Sequence, residues 1–208
     1  MTLVKICGIT NLKDAVAAQK LGADMLGFNF WPGSKRFRSP LQVKSWIGKL
    51  PPTILKVGVF VDSPLKEILL AERSCNLGGI QLHGNETAEF IAELRKHSGA
   101  NIIKAIRISS EADIENLSQF GADAILLDAF SETDHGGTGR TFDWGIAAAV
   151  KTIENIYLAG GLNSGNVTEA ISQVRPQAVD AASGVEISPG VKDHFKMAAF
   201  IKNAKNAL

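Results

Sequence analysis

Two side chains able to move protons close apolar runs of this chain. The first run is Leu3-Val4-Lys5-Ile6-Cys7, followed at once by Gly8. A thiolate at that point could act as a base or a nucleophile, and a nearby cation would lower the pKa that controls it. Lys5 lies two residues earlier and, in a strand, faces the same side as Cys7. The Cys7 thiol is therefore expected to be acidified by Lys5. The second run is Ala124-Ile125-Leu126-Leu127-Asp128. A carboxylate is costly to bury alone, so Asp128 should face an open mouth or find a partner. A thiol and a carboxylate at the same end of different strands form a possible acid–base pair. Each also has a plainer reading. A lone cysteine packs as a small hydrophobe, and an aspartate after a strand can simply cap a loop.

Other residues could bind. Arg36 sits in Pro32-Gly33-Ser34-Lys35-Arg36-Phe37, where its guanidinium could fork onto a carboxylate or stay a solvated loop charge. His83 closes Gln81-Leu82-His83-Gly84, as a mouth-lining group or a satisfied polar cap. Gly160-Gly161 and Ser183-Gly184 follow two late apolar runs. Their backbone N–H groups could approach a phosphate closely because glycine has no side chain. Cys75 falls at the end of a helical pattern and is expected to be structural.

Other chemistries have little support. The four histidines are scattered and the two cysteines form no C-x-x-C pair, so no metal site and no disulfide framework is expected. That cysteine usage points to a reducing cytoplasm. No apolar run reaches the ~18–20 residues of a membrane span, and Lys5 interrupts anything resembling a signal peptide. The net charge is +1, which gives no sign of a nucleic-acid partner.

Positioning these groups requires a scaffold. Eight short apolar runs cover residues 3–7, 25–30, 54–61, 79–83, 102–108, 124–128, 156–159 and 178–182. They are apolar nearly throughout, as in parallel strands covered on both faces. Helical patterns follow them, at residues 11–21, from 40, 65–74, 85–97, 110–120, 141–151, 164–174 and 192–207. Asn11 is expected to cap the first. Ser39-Pro40 and Ser63-Pro64 place a serine cap before a proline at the first helical position. Eight βα units in 208 residues, about 26 residues each, predict a single α/β domain, a closed (β/α)₈ barrel over residues 1–208. An open doubly wound sheet fits less well, because the first turn lacks G-x-G-x-x-G. The 20 glycines exceed the usual ~7%. Gly22 and Gly121 read as helix C-caps. Gly8, Gly84, Gly160, Gly161 and Gly184 lie at strand C-termini, the face where such barrels carry their sites, with phosphate often held after strands seven and eight.

The segment Lys5-Ile6-Cys7-Gly8-Ile9-Thr10 resembles the opening signature of the phosphoribosylanthranilate isomerases of tryptophan biosynthesis. The resemblance continues through Ser34-Lys35-Arg36, Gln81-Leu82-His83-Gly84, Leu127-Asp128, Gly136-Gly137-Thr138-Gly139 and Phe142-Asp143-Trp144. It ends in Ala159-Gly160-Gly161-Leu162 and Ser183-Gly184-Val185-Glu186. It implies an Amadori rearrangement of a phosphosugar-anthranilate substrate without a cofactor, by a monomer or homodimer. Asp128 would be the general acid and Cys7 the general base. Arg36 would hold the anthranilate carboxylate, and Gly160, Gly161, Ser183 and Gly184 the phosphate. Lys5, Gln81 and His83 are expected to join Arg36 in holding the substrate. Arg140 and Ile187 depart from the family pattern, which has Lys and Ser there. Two alternatives stand beside this reading. A related barrel lyase would need catalytic Lys and Glu at strand ends, and a non-catalytic phosphate-ligand sensor would not need both Cys7 and Asp128.

Overall fold

The computed structural model describes residues 1–108, 110–114, 117–129 and 155–207. Eight parallel strands form a closed barrel: β1 (Leu3–Ile6), β2 (Met25–Asn29), β3 (Leu55–Phe60), β4 (Gly79–Leu82), β5 (Asn101–Ile108), β6 (Ala124–Ala129), β7 (Ile156–Ala159) and β8 (Ala178–Ala181). Closure pairs Leu3 with Ala178 and Lys5 with Asp180. The outer helices are α1 (Leu12–Lys20), α2 (Pro40–Ile47), α3 (Leu65–Cys75), α4 (Ala88–His97), α5 (Val167–Val174) and α6 (His194–Lys205). No described helix is long and apolar enough to cross a membrane.

Strand alternation divides the apolar residues between two cores. Met25, Val57, Ile103, Ala105, Leu126 and Ala178 fill the barrel interior. The residues between them on the same strands, such as Val4, Leu26, Ile80, Ile125 and Leu158, pack outward against the helices. Both faces are dry, which is why the strands read as continuous apolar runs. The interior face carries Lys5 and Asp180 on adjacent strands and Gln81 on β4, all buried.

Local signals start α1 and α2 where the sequence predicts, whereas α4 and α5 begin three residues later than expected, at Ala88 and Val167. Asn11 accepts from the Asp14 N–H. Ser39 and Gln42 form a reciprocal capping box with Pro40 in the first turn, satisfying N–H groups the helix cannot. Gly22 and Gly121 adopt positive φ, as expected for residues just past a helical turn.

Three expectations are corrected. Pro64, not Ser63, caps α3 and makes no side-chain cap bond; the Ser63 hydroxyl donates to the Val61 carbonyl instead. The stretch 110–120 is not one α-helix. It contains the 3₁₀ turns Glu111–Ile114 and Leu117–Phe120. Leu117 and Phe120 are three residues apart, the spacing that a 3₁₀ turn stacks on one edge. The last helix begins at His194 behind an Asp193 cap, and Lys192 belongs to a strand. After β8 the chain makes the 3₁₀ turn Ser183–Val185 and a small hairpin, β9 (Glu186–Ser188) with β10 (Val191–Lys192). The expected helix at 141–151, the loop Gly136–Gly139, the Phe142–Trp144 motif and Arg140 lie outside the described residues.

Candidate active site

The pocket opens at the C-terminal ends of the strands and is lined by Cys7, Arg36, Gln81, His83, Asp128 and Asp180, with Gly160, Gly161 and Ser183 at its rim. A larger groove lies on the outer wall between α4 and the turn Leu117–Phe120. It holds neither the thiol nor the carboxylate, so the barrel mouth is the better candidate.

Cys7 sits one residue beyond β1. Its N–H donates to Ala181 O at 2.9 Å, extending the ladder to β8. Gly27 on β2 makes room for the thiol, since a Cβ there would lie 2.7 Å from Sγ. Gly8 follows with φ +74 and gives way to the Arg36 side chain. Lys5 lies on the same face, as expected, but its ammonium is fully buried and 2.7 Å from Asp180 Oδ2. Asp180, rather than Lys5, is the member of the pair that lines the pocket.

Burial, with help from Asp180, reverses the expected acidification of Cys7. Burial pushes the thiol pKa up. Lys5 pulls it down, but the Asp180 charge pushes it up again, and the balance is a raised pKa. For Lys5, burial favours the neutral amine, yet Asp180 and Cys7 outweigh it and raise the pKa.

Asp128 stands near the end of β6, with Oδ2 3.1 Å from His83 Nε2. His83 Nδ1 lies 3.0 Å from Gln81 Nε2. With the Gln81 amide donating to Nδ1, a neutral ring carries its proton on Nε2 and donates it to Asp128. Asp128 and His83 keep side-chain exposures of 30% and 22%, so the carboxylate can meet a ligand. Deeper in the pocket, Gln81 Oε1 and Asp180 Oδ1 are buried without a hydrogen-bond partner among the described residues. Two buried acceptors in one pocket call for donors from a ligand or water.

Arg36 reaches across Gly8 to Glu186, donating from Nε to Oε1 at 2.8 Å and from Nη2 to Oε2 at 2.6 Å. Lys192 Nζ shares the same carboxylate at 2.9 Å. Burial works to raise the pKa of Glu186, but the hydrogen bonds from Arg36 and Lys192 prevail and hold it below the usual carboxylate range. The fork fixes the plane of the guanidinium at the pocket wall.

Gly160 and Gly161 follow β7 with φ +87 and +66, conformations that L side chains rarely adopt. At Gly184 a Cβ would collide with the Leu162 carbonyl oxygen. That close approach packs the loop after β8 against the loop after β7, so Gly184 is needed for this contact as well as for any phosphate approach. Ile187 is 71% exposed on β9, and its departure from the family pattern disturbs no buried contact. Cys75 is buried under α2, as expected of a structural residue, with burial pushing its thiol to about 11. Among the described residues, no group of three or more His, Cys, Asp or Glu could hold a metal ion.

Eight of the ten residues singled out from the sequence line this pocket, while Lys5 lies behind Asp180 and Gly184 packs against the loop after β7. Asp180, Glu186 and Lys192 had been assigned no role. Asp180 had a usable signal: it interrupts the apolar run Ala178–Ala182 on the same alternating face as Lys5. Lys192 had none, because its link to the thiol, through the Cys7 carbonyl, spans 185 residues of sequence.

A closed (β/α)₈ barrel with a thiol, a carboxylate and an imidazole gathered at its C-terminal mouth has the architecture of a barrel enzyme. The sequence profile of the N-(5′-phosphoribosyl)anthranilate isomerases matches residues 4–203. An N-(5′-phosphoribosyl)anthranilate isomerase from Pelobacter propionicus is 46% identical over 205 residues, covering 99% of this chain and 96% of the relative. The crystal structure of phosphoribosyl anthranilate isomerase from Thermotoga maritima superposes with a TM-score of 0.92 at 43% identity, over 99% of each chain. Another isomerase structure holds reduced 1-(o-carboxyphenylamino)-1-deoxyribulose 5-phosphate. It matches with a TM-score of 0.89 at 41% identity, again over 99% of each chain. The chain belongs to the N-(5′-phosphoribosyl)anthranilate isomerase family.

Proposed function

We propose that this mouth carries out the family's reaction with Asp128 as general acid and Cys7 as general base. The protein isomerises N-(5′-phosphoribosyl)anthranilate to 1-(2-carboxyphenylamino)-1-deoxyribulose 5-phosphate in tryptophan biosynthesis. Asp128 protonates the furanose ring oxygen. The C1–O bond breaks as the anilino nitrogen forms an iminium with C1. Cys7 then removes the proton at C2, and the C2–H electron pair runs to nitrogen and leaves an enolamine. Tautomerisation adds a proton at C1 and takes one from the C2 hydroxyl. Atoms and electrons balance within the substrate, so no redox partner is needed.

The observation that carries this reading is the placement of Cys7 on β1 and Asp128 on β6 around one pocket. The raised thiol pKa fits the order of steps. The thiol stays protonated until the iminium appears, and that positive charge then favours the thiolate. Asp180 Oδ1 and Gln81 Oε1 accept from sugar hydroxyls, and Lys5 holds Asp180 in place. Arg36 binds the anthranilate carboxylate, and the backbone at Gly160, Gly161, Ser183 and Gly184 binds the phosphate, remote from the reacting carbon. The protein works in the cytoplasm as a monomer or homodimer. A solved relative from Thermotoga maritima is described as dimeric. Steady-state loss of substrate fluorescence with purified protein tests the activity directly, and no turnover would overturn it.

Two binding predictions follow from this geometry. Arg36→Met is expected to lose about 1.5–3 kcal/mol in kcat/KM, the range of a hydrogen bond to a charged group. Arg36→Lys should recover only part, because an ammonium cannot fork. Equal kinetics for Met and Arg would remove the carboxylate contact. For the phosphate, inorganic phosphate should compete with substrate, and Gly184→Val should raise KM about tenfold or more, the loss of at least one charge-assisted hydrogen bond. An unchanged KM would place the phosphate elsewhere.

A further inference from the structure

Lys192 is the most heavily used buried group that the mechanism leaves without a part. Its side chain is inaccessible, and its three donors meet three acceptors. Nζ lies 2.6 Å from the Cys7 carbonyl, 3.1 Å from the Ala182 carbonyl and 2.9 Å from Glu186 Oε1. The two carbonyls lie just past the ends of β1 and β8, where the ladder between those strands stops. The backbone of Lys192 is itself anchored, since its N–H donates to Asp14 Oδ2 at 3.0 Å. Asp14 Oδ1 meets His194 Nε2 at 2.8 Å.

We propose that Lys192 is a positioning residue for Cys7. From the β9–β10 hairpin it fixes the Cys7 peptide, and with it the direction of the thiol, and it adds positive charge beside that thiol. The inference rests on the reading of Cys7 as the general base.

The geometric half follows from the contacts. Cys7 has its N–H on Ala181 and its carbonyl on Lys192, so its peptide groups are held from both sides. Sγ then sits against Gly27, where even a methyl group would intrude. Without the ammonium, two part-buried carbonyls would lose their partner, and the peptide after Cys7 could rotate. The electrostatic half follows from a count of formal charges. Lys5 is matched by Asp180, while Arg36 and Lys192 share the single carboxylate of Glu186. These five groups sum to +1. Asp128, with His83 on its carboxylate, faces the same pocket from the far strands. Lys192 thus adds positive charge on the hairpin side. Its own pKa is pulled down by burial while Glu186 resists the fall. Lys192 also acts on the thiol in the direction that favours the thiolate, against burial.

The test measures alkylation of Cys7 by iodoacetamide against pH, with the modified peptide identified by mass spectrometry, beside kcat and KM. In Lys192→Met the alkylation midpoint should move to higher pH. kcat should fall about tenfold or more with a much smaller change in KM, the pattern of an interaction that matters in the transition state. Lys192→Arg, which keeps the charge, should move the midpoint back toward that of the parent. A Lys192→Met protein that melts cooperatively and keeps the parent midpoint and kcat would overturn the proposal. If that variant does not fold, Lys192→Gln supplies the test. It keeps a donor for the two carbonyls but removes the charge, so the midpoint should still move to higher pH, and an unmoved midpoint would overturn the proposal equally. The two readings fail separately. Turnover by Cys7→Ala would end the base assignment, whereas an inactive Cys7→Ala with unmoved midpoints in the Lys192 variants would end only this inference.

Discussion

Cys7→Ala is expected to lower kcat by about 10²–10⁴-fold, the usual contribution of a positioned general base. KM should change far less, because the thiol abstracts a proton after ring opening and is not asked to bind the ground state. The pH dependence follows from the sign of the pKa shift. A base works deprotonated, and burial together with Asp180 holds the Cys7 thiol above its ordinary value. In the free enzyme, the rising limb of kcat/KM that reports the thiol should therefore lie on the alkaline side of an ordinary cysteine. In the complex, the iminium should draw the limb of kcat to lower pH. Alkylation of Cys7 should be slow at neutral pH, should inactivate the enzyme and should be blocked by substrate. Near-normal turnover by Cys7→Ala would return the residue to the role of a packed hydrophobe beside Gly27.

Asp128→Asn should cost a similar factor for a different reason. Asparagine fills the same volume, and its amide oxygen can accept from His83 Nε2 as the carboxylate does at 3.1 Å. The contact survives while the acid is lost. kcat should therefore fall about 10²–10⁴-fold without loss of thermal stability. The defect should lie in ring opening alone. A substrate analogue that already has an open chain needs no proton on a ring oxygen, so it should be processed by Asp128→Asn far better than the cyclic substrate. An equal loss on both would mean that Asp128 serves a later step. Unchanged kcat on the cyclic substrate would assign the proton to another group, with His83 the nearest.

Much of this architecture was legible in the order of residues. Continuous β-branched runs can be buried on both faces only in a parallel sheet clad with helices, so eight of them separated by helical patterns imply a barrel. Alternation then aims Lys5 and Cys7 inward together, and the chain's direction puts Cys7, Asp128, His83 and the glycine pairs at one rim. Local capping chemistry at Asn11 and Ser39 acts over three residues and needs no tertiary context. Where local signals were weak, reading them was less secure. Ser63-Pro64 has the composition of the Ser39-Pro40 cap, yet Ser63 turns back to Val61. The apolar residues of 110–120 fit a turn of three as well as one of 3.6, and their packing selects 3₁₀ turns.

What the sequence determined by itself is which side chains share the mouth, because strand period and direction are properties of the backbone that every residue obeys. The state of those side chains depends on contacts that exist only once the barrel has closed. The acidity of Cys7 depends on Lys5 being spent on Asp180, 175 residues away, and on Lys192, 185 residues away. The aim of Arg36 depends on Glu186 at a separation of 150 residues. Gly184 owes its smallness in part to the carbonyl of Leu162 in another loop. Charge and close contact act through space over a few ångströms, and barrel closure brings these distant segments within that range.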